Sequence, residues 1–337
     1  MKCAPQLKVY HYKISVIIPM YNVESFIGSC ARSLFEQTLN DIEYIFVDDN
    51  SSDASVTVLH EIAKEYPKRR DDVIIILNDR NLGPSISRNL GLERSTGEYV
   101  AFCDSDDEVE KNAYELLFTK AMEKDADIVS CAVFVDEDGK SKEKKFNDEH
   151  FLAHDSLYQV DCVEGVLWSS VWNKIYRKSF LSKYDIRFHD TLKMWDDLYF
   201  TFTARFFCKV DAIVNLPLYH YKLKKTGSLT SENVLIKATS QIECTRHLES
   251  FLKLQEANDM DTILAFLKLR SKDILFNSEH IEVWRKTYPE INYMICRFVS
   301  FYGWPRIVRF YIVVYFGTLG WKLLDFYSRV KKMIKSW

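Results

Sequence analysis

Three carboxylates stand in four positions at Asp104-Ser105-Asp106-Asp107, directly after the apolar run from Tyr99 to Cys103. Such a cluster is poor strand material, because like charges repel and Asp disfavours the pleat. It makes chemical sense at the carboxyl end of a parallel strand, where open α/β sheets bind their ligands. Asp104 and Asp106 are two apart, so in an extended segment they point the same way, with Ser105 turned aside. Two carboxylates on one side of a strand end suit a hard divalent cation, with room left for water and a phosphate. The plainer alternative is a polar loop capping the helix expected from near Glu110. A second acidic pair, Asp196-Asp197, opens a later helix. There it complements the helix dipole, which does not explain the aromatic residues around it, among them Trp195 and Trp172.

The elements that must position these groups alternate. Ile14–Ile18 reads as a buried strand stopped by Pro19, followed by a helix from about Val23 to Gln37. Ile42–Val47 is a second strand and ends in Asp48-Asp49-Asn50-Ser51-Ser52-Asp53. Leu59, Ile62, Ala63 and Tyr66 then form a helical stripe. Val73–Leu77 is a third strand, and Pro84 opens a helix running to about Arg94. Tyr99–Cys103 is the fourth strand. This alternation predicts a doubly wound, mostly parallel α/β sheet with polar residues gathered after each strand. Neither a glycine-rich dinucleotide fingerprint nor a phosphate-binding Walker loop follows the strands. A fifth strand is expected over Asp127–Asp136, then a charged loop to about Glu149 and irregular chain over 157–195. Short strands are expected over Ile213–Leu216 and Leu218–Leu223, leading into the basic loop Lys222, Lys224, Lys225 and Ser228. That loop has the composition either to close over a diphosphate or simply to be solvated. Long helices follow, marked by Leu235 to Leu252 and by Ile263 to Ile274.

With 337 residues, 47% of them hydrophobic and 28% charged, the chain can bury a real core. A net charge of −3 argues against a general nucleic-acid binder. Eight scattered cysteines without a CxxC pair, and a first stretch lacking a secretory pattern, point to a reducing, cytoplasmic setting. From Arg297 onward eight basic residues face one acid, Asp325, and Phe310–Trp321 is uncharged but only 12 residues long. A spanning helix needs about 20. This tail reads as an interfacial segment for an anionic membrane surface, with packing on the protein and true spanning as alternatives. The expected domains are an extension (1–12), a catalytic α/β domain (13–225), a helical appendage (226–290) and the basic aromatic tail (291–337).

Four ordered blocks, Val16-Ile17-Ile18-Pro19-Met20-Tyr21-Asn22, Val47–Asp53, Asn81–Asn89 and Gly97–Asp107, together resemble glycosyltransferase family 2. The match is dense over residues 13–110 and sparser to about 230. The resemblance implies a GT-A fold and inverting transfer of a sugar from a nucleoside-diphosphate sugar, taken to be a UDP-sugar. The acceptor it implies is a hydroxyl of a lipid-linked glycan in cell-surface polysaccharide assembly, at the inner face of the membrane. By the same resemblance Pro19 and Tyr21 line the base pocket, Asp49 accepts from the base or ribose, and Arg88 lies near the nucleotide. Asp104 and Asp106 form the Asp-x-Asp motif for Mn2+ or Mg2+, with Asp106 the direct ligand and Asp104 near the ribose. Trp195-Asp196-Asp197 resembles a later block that usually reads Glu-Asp, making Asp197 the general base, with Asp196 the other candidate. The implied chemistry is coherent: departure of a diphosphate builds charge that a cation stabilises, and a weak hydroxyl nucleophile needs a carboxylate for its proton. Trp172 and Trp195 are candidates to stack on sugar faces, with burial in the core as the alternative. A phosphoacceptor receiver domain fits less well, since the Asp-x-Asp spacing and the missing lysine after a fifth strand oppose it. A non-catalytic sugar-nucleotide-binding scaffold is opposed by the intact Asp104, Asp106 and Asp197.

Overall fold

The computed structural model of the chain describes residues 11–146, 166–223, 233–257 and 260–335. The chain divides into two compact units, the first holding 1–157 with 163–226 and the second 158–162 with 227–337. The first is built on one mixed sheet. Strands β1 (Ile14–Met20), β2 (Ile42–Asp48), β3 (Val73–Leu77) and β4 (Tyr99–Phe102) run parallel in the order β3-β2-β1-β4. Every residue of β2 and β4 is buried, and all of β1 but Pro19. Continuous apolar runs of this kind belong to a sheet covered on both faces. Helices α1 (Ile27–Phe35), α2 (Ser55–Glu65) and α3 (Pro84–Arg94) supply the cover. Pro19 does not stop β1, which runs on through Met20. Its missing N–H costs little there, since β4 accompanies β1 only as far as Ile17 and β2 alone pairs with its end.

Beyond β4 the sheet turns mixed. A two-residue strand β5 (Glu108–Val109) precedes α4 (Ala113–Lys124), so the helix starts later than Glu110. Strand β6 (Ile128–Glu137) does not lead into a loop: Asp138 (φ 51°) and Gly139 (φ 74°) turn it straight back into β7 (Lys140–Lys144). Two successive positive φ angles are what a tight hairpin turn requires. The stretch expected to be irregular holds a short helix α5 (Val166–Ser169), strand β8 (Lys174–Arg177) and helix α6 (Lys178–Lys183). Strand β8 lies antiparallel between β4 and β6. Helix α7 (Asp196–Phe207) and strand β9 (Asp211–Lys222) complete the unit. The two expected short strands are this one strand, with Pro217 accommodated where its register against β6 shifts.

The second unit is helical: α8 (Val234–Leu254), α9 (Asp261–Asp273), α10 (Ile281–Lys286) and α11 (Val299–Lys335), the last interrupted at Gly303 (φ 72°) and Gly317 (φ 56°). Ile307, Phe310 and Val313 share one core with Ala238, Phe266 and Trp284. The helical appendage and the basic tail, read from the sequence as separate, therefore have a common interior.

Candidate active site

The parallel ladder fixes the acidic cluster. Cys103 N–H donates to Ile17 O as β4 leaves β1 (3.0 Å), and Asp107 N–H then bonds back to Asp104 O (3.1 Å). Burial alternates through the turn: Asp104 and Asp106 are partly exposed, while Ser105 and Asp107 are buried. Both acids of the Asp-x-Asp spacing thus keep some access to solvent. Asp107 serves the scaffold. It accepts from Tyr219 Oη–H (2.8 Å) and from Lys222 N–H (2.9 Å), and Tyr219 Oη in turn accepts from Asp104 N–H (3.1 Å). Burial and the neighbouring Asp104 and Asp106 hold the Asp107 carboxyl well above the usual carboxylate range.

Helix α3 brings a cation that ties the site together. Gly91 lets it lie close on β1, since a Cβ there would meet Ile17 Cγ2 at 2.4 Å. Arg88, 6% exposed, projects from this helix with its guanidinium 5.3 Å from the centre of the Phe188 ring. Its Nη2 donates to Asp104 Oδ1 (2.8 Å), and its Nη1 donates to Asp196 Oδ2 (2.7 Å) and lies 3.4 Å from Asp197 Oδ1. The strand-end cluster and the second acidic pair, distant in sequence, therefore meet across one guanidinium.

The two acids of the pair differ. Asp196 is buried, and its Oδ2 also lies 3.4 Å from the Ser85 hydroxyl. Asp197 is partly exposed, accepts a backbone hydrogen bond from Val171, and keeps Oδ1 without a hydrogen-bond donor. Burial raises its carboxyl to about 7 against the pull of Arg88, with Asp196 and Asp104 adding to the rise. A carboxyl poised near neutrality is suited to accept a proton. Its backbone donor belongs to a loop held from inside. Lys174, buried, donates from Nζ to Leu167 O (2.7 Å), Ser170 O (2.6 Å) and Asn173 Oδ1 (2.6 Å).

Other residues singled out in the sequence fall at varying distances from this role. Tyr21 is half exposed and Pro19 partly so, at the end of β1. Asp49 is buried with its carboxylate engaged: it accepts from Asn78 Nδ2 (2.9 Å), Leu82 N–H (2.8 Å) and Gly83 N–H (2.7 Å). It holds the loop that leads into α3 rather than presenting an unused acceptor. The neighbouring Asp48, passed over in the sequence, is buried with Oδ1 unpartnered. Trp172 is 5% exposed and stacks on Tyr219 (4.4 Å between ring centres) and Tyr221 (5.1 Å), so it supports the site from the core and offers no face to a sugar. Trp195 is partly exposed and left-handed (φ 63°) at the start of α7. The Lys222 ammonium pairs with Glu108 at the base of the basic loop. Lys225 and Ser228 lie outside the described residues. The supporting roles of Asp107, Tyr219 and Lys174 had no sequence signal beyond the acidic run itself and the Trp172-Asn173-Lys174 block.

Among the described residues no group of three or more His, Cys, Asp or Glu gathers to cage a metal. Two accessible carboxylates at a strand end nevertheless fit a Mg2+-type ion, which is bound through one or two carboxylates with water and substrate phosphates.

Comparison with known proteins bears on this geometry. The sequence profile of glycosyl transferase family 2 matches residues 15–189, more than half of the chain, a span that holds Arg88 and the Asp-x-Asp turn and ends before the Asp196-Asp197 pair. The chain belongs to glycosyltransferase family 2. Among curated members of the family it is 34% identical over 213 residues to the putative glycosyltransferase EpsH of Bacillus subtilis (strain 168), covering 62% of this chain and 60% of that protein. It is 28% identical over 340 residues to glycosyltransferase GlyA of Streptococcus pneumoniae, covering 89% of this chain and 48% of that one. The chain thus spans about half to three-fifths of the length of such relatives. In fold it resembles residues 1–349 of S. aureus TarS in complex with UDP-GlcNAc, with a TM-score of 0.65, 21% identity and 90% of each chain covered. It also resembles the mannosyltransferase PcManGT of Pyrobaculum calidifontis in complex with GDP-Man and Mn2+, with a TM-score of 0.58, 14% identity, and 96% of this chain and 81% of that one covered. The mostly parallel mixed sheet is of the GT-A type, and in the chain it is followed by a C-terminal helical unit.

Proposed function

We propose that the protein transfers a sugar, with inversion, from a nucleoside-diphosphate sugar to a hydroxyl of a glycan acceptor. The observation that carries this reading is the Arg88 bridge, which sets the Asp104 carboxylate and the Asp196-Asp197 pair around one guanidinium. We take the donor to be a UDP-sugar, the nucleotide class of the TarS complexes. Tyr21 and Pro19 would border the base, with Asp48 and Asp49 beneath them. Asp104 and Asp106 would hold Mn2+ or Mg2+, which when bound supplies positive charge beside the departing diphosphate.

The remaining work falls to the chain's own side chains. Asp197, ionised, takes the proton of the attacking hydroxyl on its carboxylate as the oxygen bonds to the anomeric carbon, and the nucleoside diphosphate leaves from the opposite side. Asp196 keeps Arg88 in place, and Arg88 keeps Asp197 ionised more readily than its burial alone would allow. Tyr219 and Asp107 hold the backbone of the Asp-x-Asp turn. In the setting we infer, the acceptor is lipid-linked, the product enters a cell-surface polysaccharide, and the protein works peripherally at the cytoplasmic face of the membrane.

The test is a panel of nucleotide sugars with and without Mn2+, read first by thermal shift, since a bound donor stabilises by mass action, and then by sugar release. A cognate donor should stabilise the chain in a Mn2+-dependent way that Asp106→Ala abolishes. No turnover from any donor, together with unchanged donor binding in Asp106→Ala, would refute the proposal.

A further inference from the structure

The stretch Tyr302–Ser328 is long and apolar enough to cross a membrane by length and composition alone. Its geometry opposes crossing. At Gly317 (φ 56°, ψ −136°) the helix breaks, and an ideal Cβ at Gly320 would lie only 2.6 Å from Ile312 O. In a straight helix those two residues stand about 12 Å apart along the axis. The chain therefore bends sharply: the 13 residues before Gly317 reach about 20 Å, against about 30 Å for a bilayer core, and the apolar stretch after it ends by Ser328.

The limb before the bend is apolar on two sides. Ile307, Phe310 and Val313 fill the helical unit's core. On the other side Trp304 (65% exposed), Val308 (50%) and Tyr315 (67%) recur at the spacing of a single helical stripe. The limb after the bend repeats the pattern with Leu319 (62%), Leu323 (57%) and Phe326 (67%) exposed. Isolated exposed apolar residues need no explanation, but two such stripes, rich in large side chains, mark a surface with a partner. Charge identifies it. Arg309 and Lys322 are exposed beside the stripes, and the sequence goes on with Arg329, Lys331, Lys332 and Lys335 against Asp325 alone. Two copies of so basic a segment would repel each other, whereas an anionic lipid surface attracts it. Trp and Tyr at the stripe positions suit the headgroup level of a bilayer.

We propose that the two limbs flanking Gly317 form a bent, in-plane anchor that lays these apolar stripes into the surface of an anionic bilayer without crossing it. This deepens the peripheral location proposed above, and its test reads vesicle binding, so it and the sugar-transfer reading can fail separately.

The experiment floats the full chain with phosphatidylcholine vesicles that contain or lack phosphatidylglycerol. The chain is expected to float with the anionic vesicles, to stay behind with neutral ones, and to come off in alkaline carbonate. Leu323→Glu with Phe326→Glu should cut the bound fraction by at least about tenfold. Arg309→Glu with Lys322→Glu, at exposed positions that do not threaten folding, should remove the preference for anionic lipid. Four outcomes would each overturn the proposal: no flotation, equal binding to both vesicles, retention in carbonate, or a concentration-dependent dimer that Phe326→Glu abolishes.

Discussion

Asp197 carries two opposed influences: burial with Asp196 and Asp104 pushes its proton affinity up, and Arg88 holds it down, leaving the carboxyl at about 7. A base must be ionised to act, so kcat/KM, which reports the free enzyme, should rise with pH through about 7 and then level off. Asp197→Asn should lower transfer by roughly 100- to 10,000-fold while donor binding stays unchanged. An equal loss in Asp196→Asn with wild-type stability would move the base to its neighbour. Arg88 tests the same network from its other side. It is buried among acids whose charges it answers, and removing one partner of a buried ionic cluster costs about 3–5 kcal/mol. Arg88→Met should lower the stability seen in urea unfolding by about that amount. If enough enzyme folds to assay, the acid limb of its pH profile should move upward, because the influence that favours ionised Asp197 is gone.

At the scale of elements, what positions the acids is a strand end braced from beneath. The Tyr219 hydroxyl lies between Asp104 N–H and the Asp107 carboxylate. Tyr219→Phe leaves both without it at a cost of about 1–3 kcal/mol. The donor KM and the Mn2+ requirement should rise with little change in fold, whereas an unchanged Mn2+ titration would reduce Tyr219 to a packing residue. Gly91→Ala should cost about 1–3 kcal/mol through the clash with Ile17 that lifts α3 from β1, as thermal melts can read. Sequence patterning reached α3 closely, because Pro84 suits its first turn and the loop before it has no apolar period. It reached β1, β2 and β4 because burial on both faces writes continuous apolar runs, and the half-buried edge strand β3 because Val73–Leu77 is an unbroken β-branched and apolar run. It missed β7, whose Lys140–Lys144 sequence KSKEK carries no apolar signal, although Asp138-Gly139 marks the hairpin. It missed β8 as well, since Lys174 at its start looks polar until its three oxygen acceptors are seen. The Arg88 bridge was legible only in part: each residue was singled out, but their meeting is a product of strand order.

For the whole molecule, two units with separate cores mean that a titration in one can be read apart from the catalytic chemistry in the other. The tail illustrates what pattern alone conflates, because Phe310 and Val313, within or beside the uncharged run, belong to that helical core while Tyr315 faces outward. Inside the same core Lys272 is fully buried, its Nζ donating to Thr287 O (2.8 Å) and Asn292 Oδ1 (2.6 Å) and lying 4.5 Å from the centre of the Trp284 ring. Burial lowers its ammonium to about 7, against the pull of Glu290. Between about 7 and the usual lysine value near 10.4, the unfolded chain holds a proton there that the folded chain has released. Stability of the helical unit must therefore climb with pH across that window, and must level off below about 7, where folded and unfolded chains both hold the proton. Lys272→Met removes the titrating group. Its thermal transition should lie below the wild type's at pH 9, where Thr287 O and Asn292 Oδ1 have lost their donor, yet should shift less between pH 7 and pH 9 than the wild type's. Equal shifts in the two proteins would show that the amine stays charged in the folded chain, held by its carbonyl partners and the Trp284 ring strongly enough to outweigh its burial.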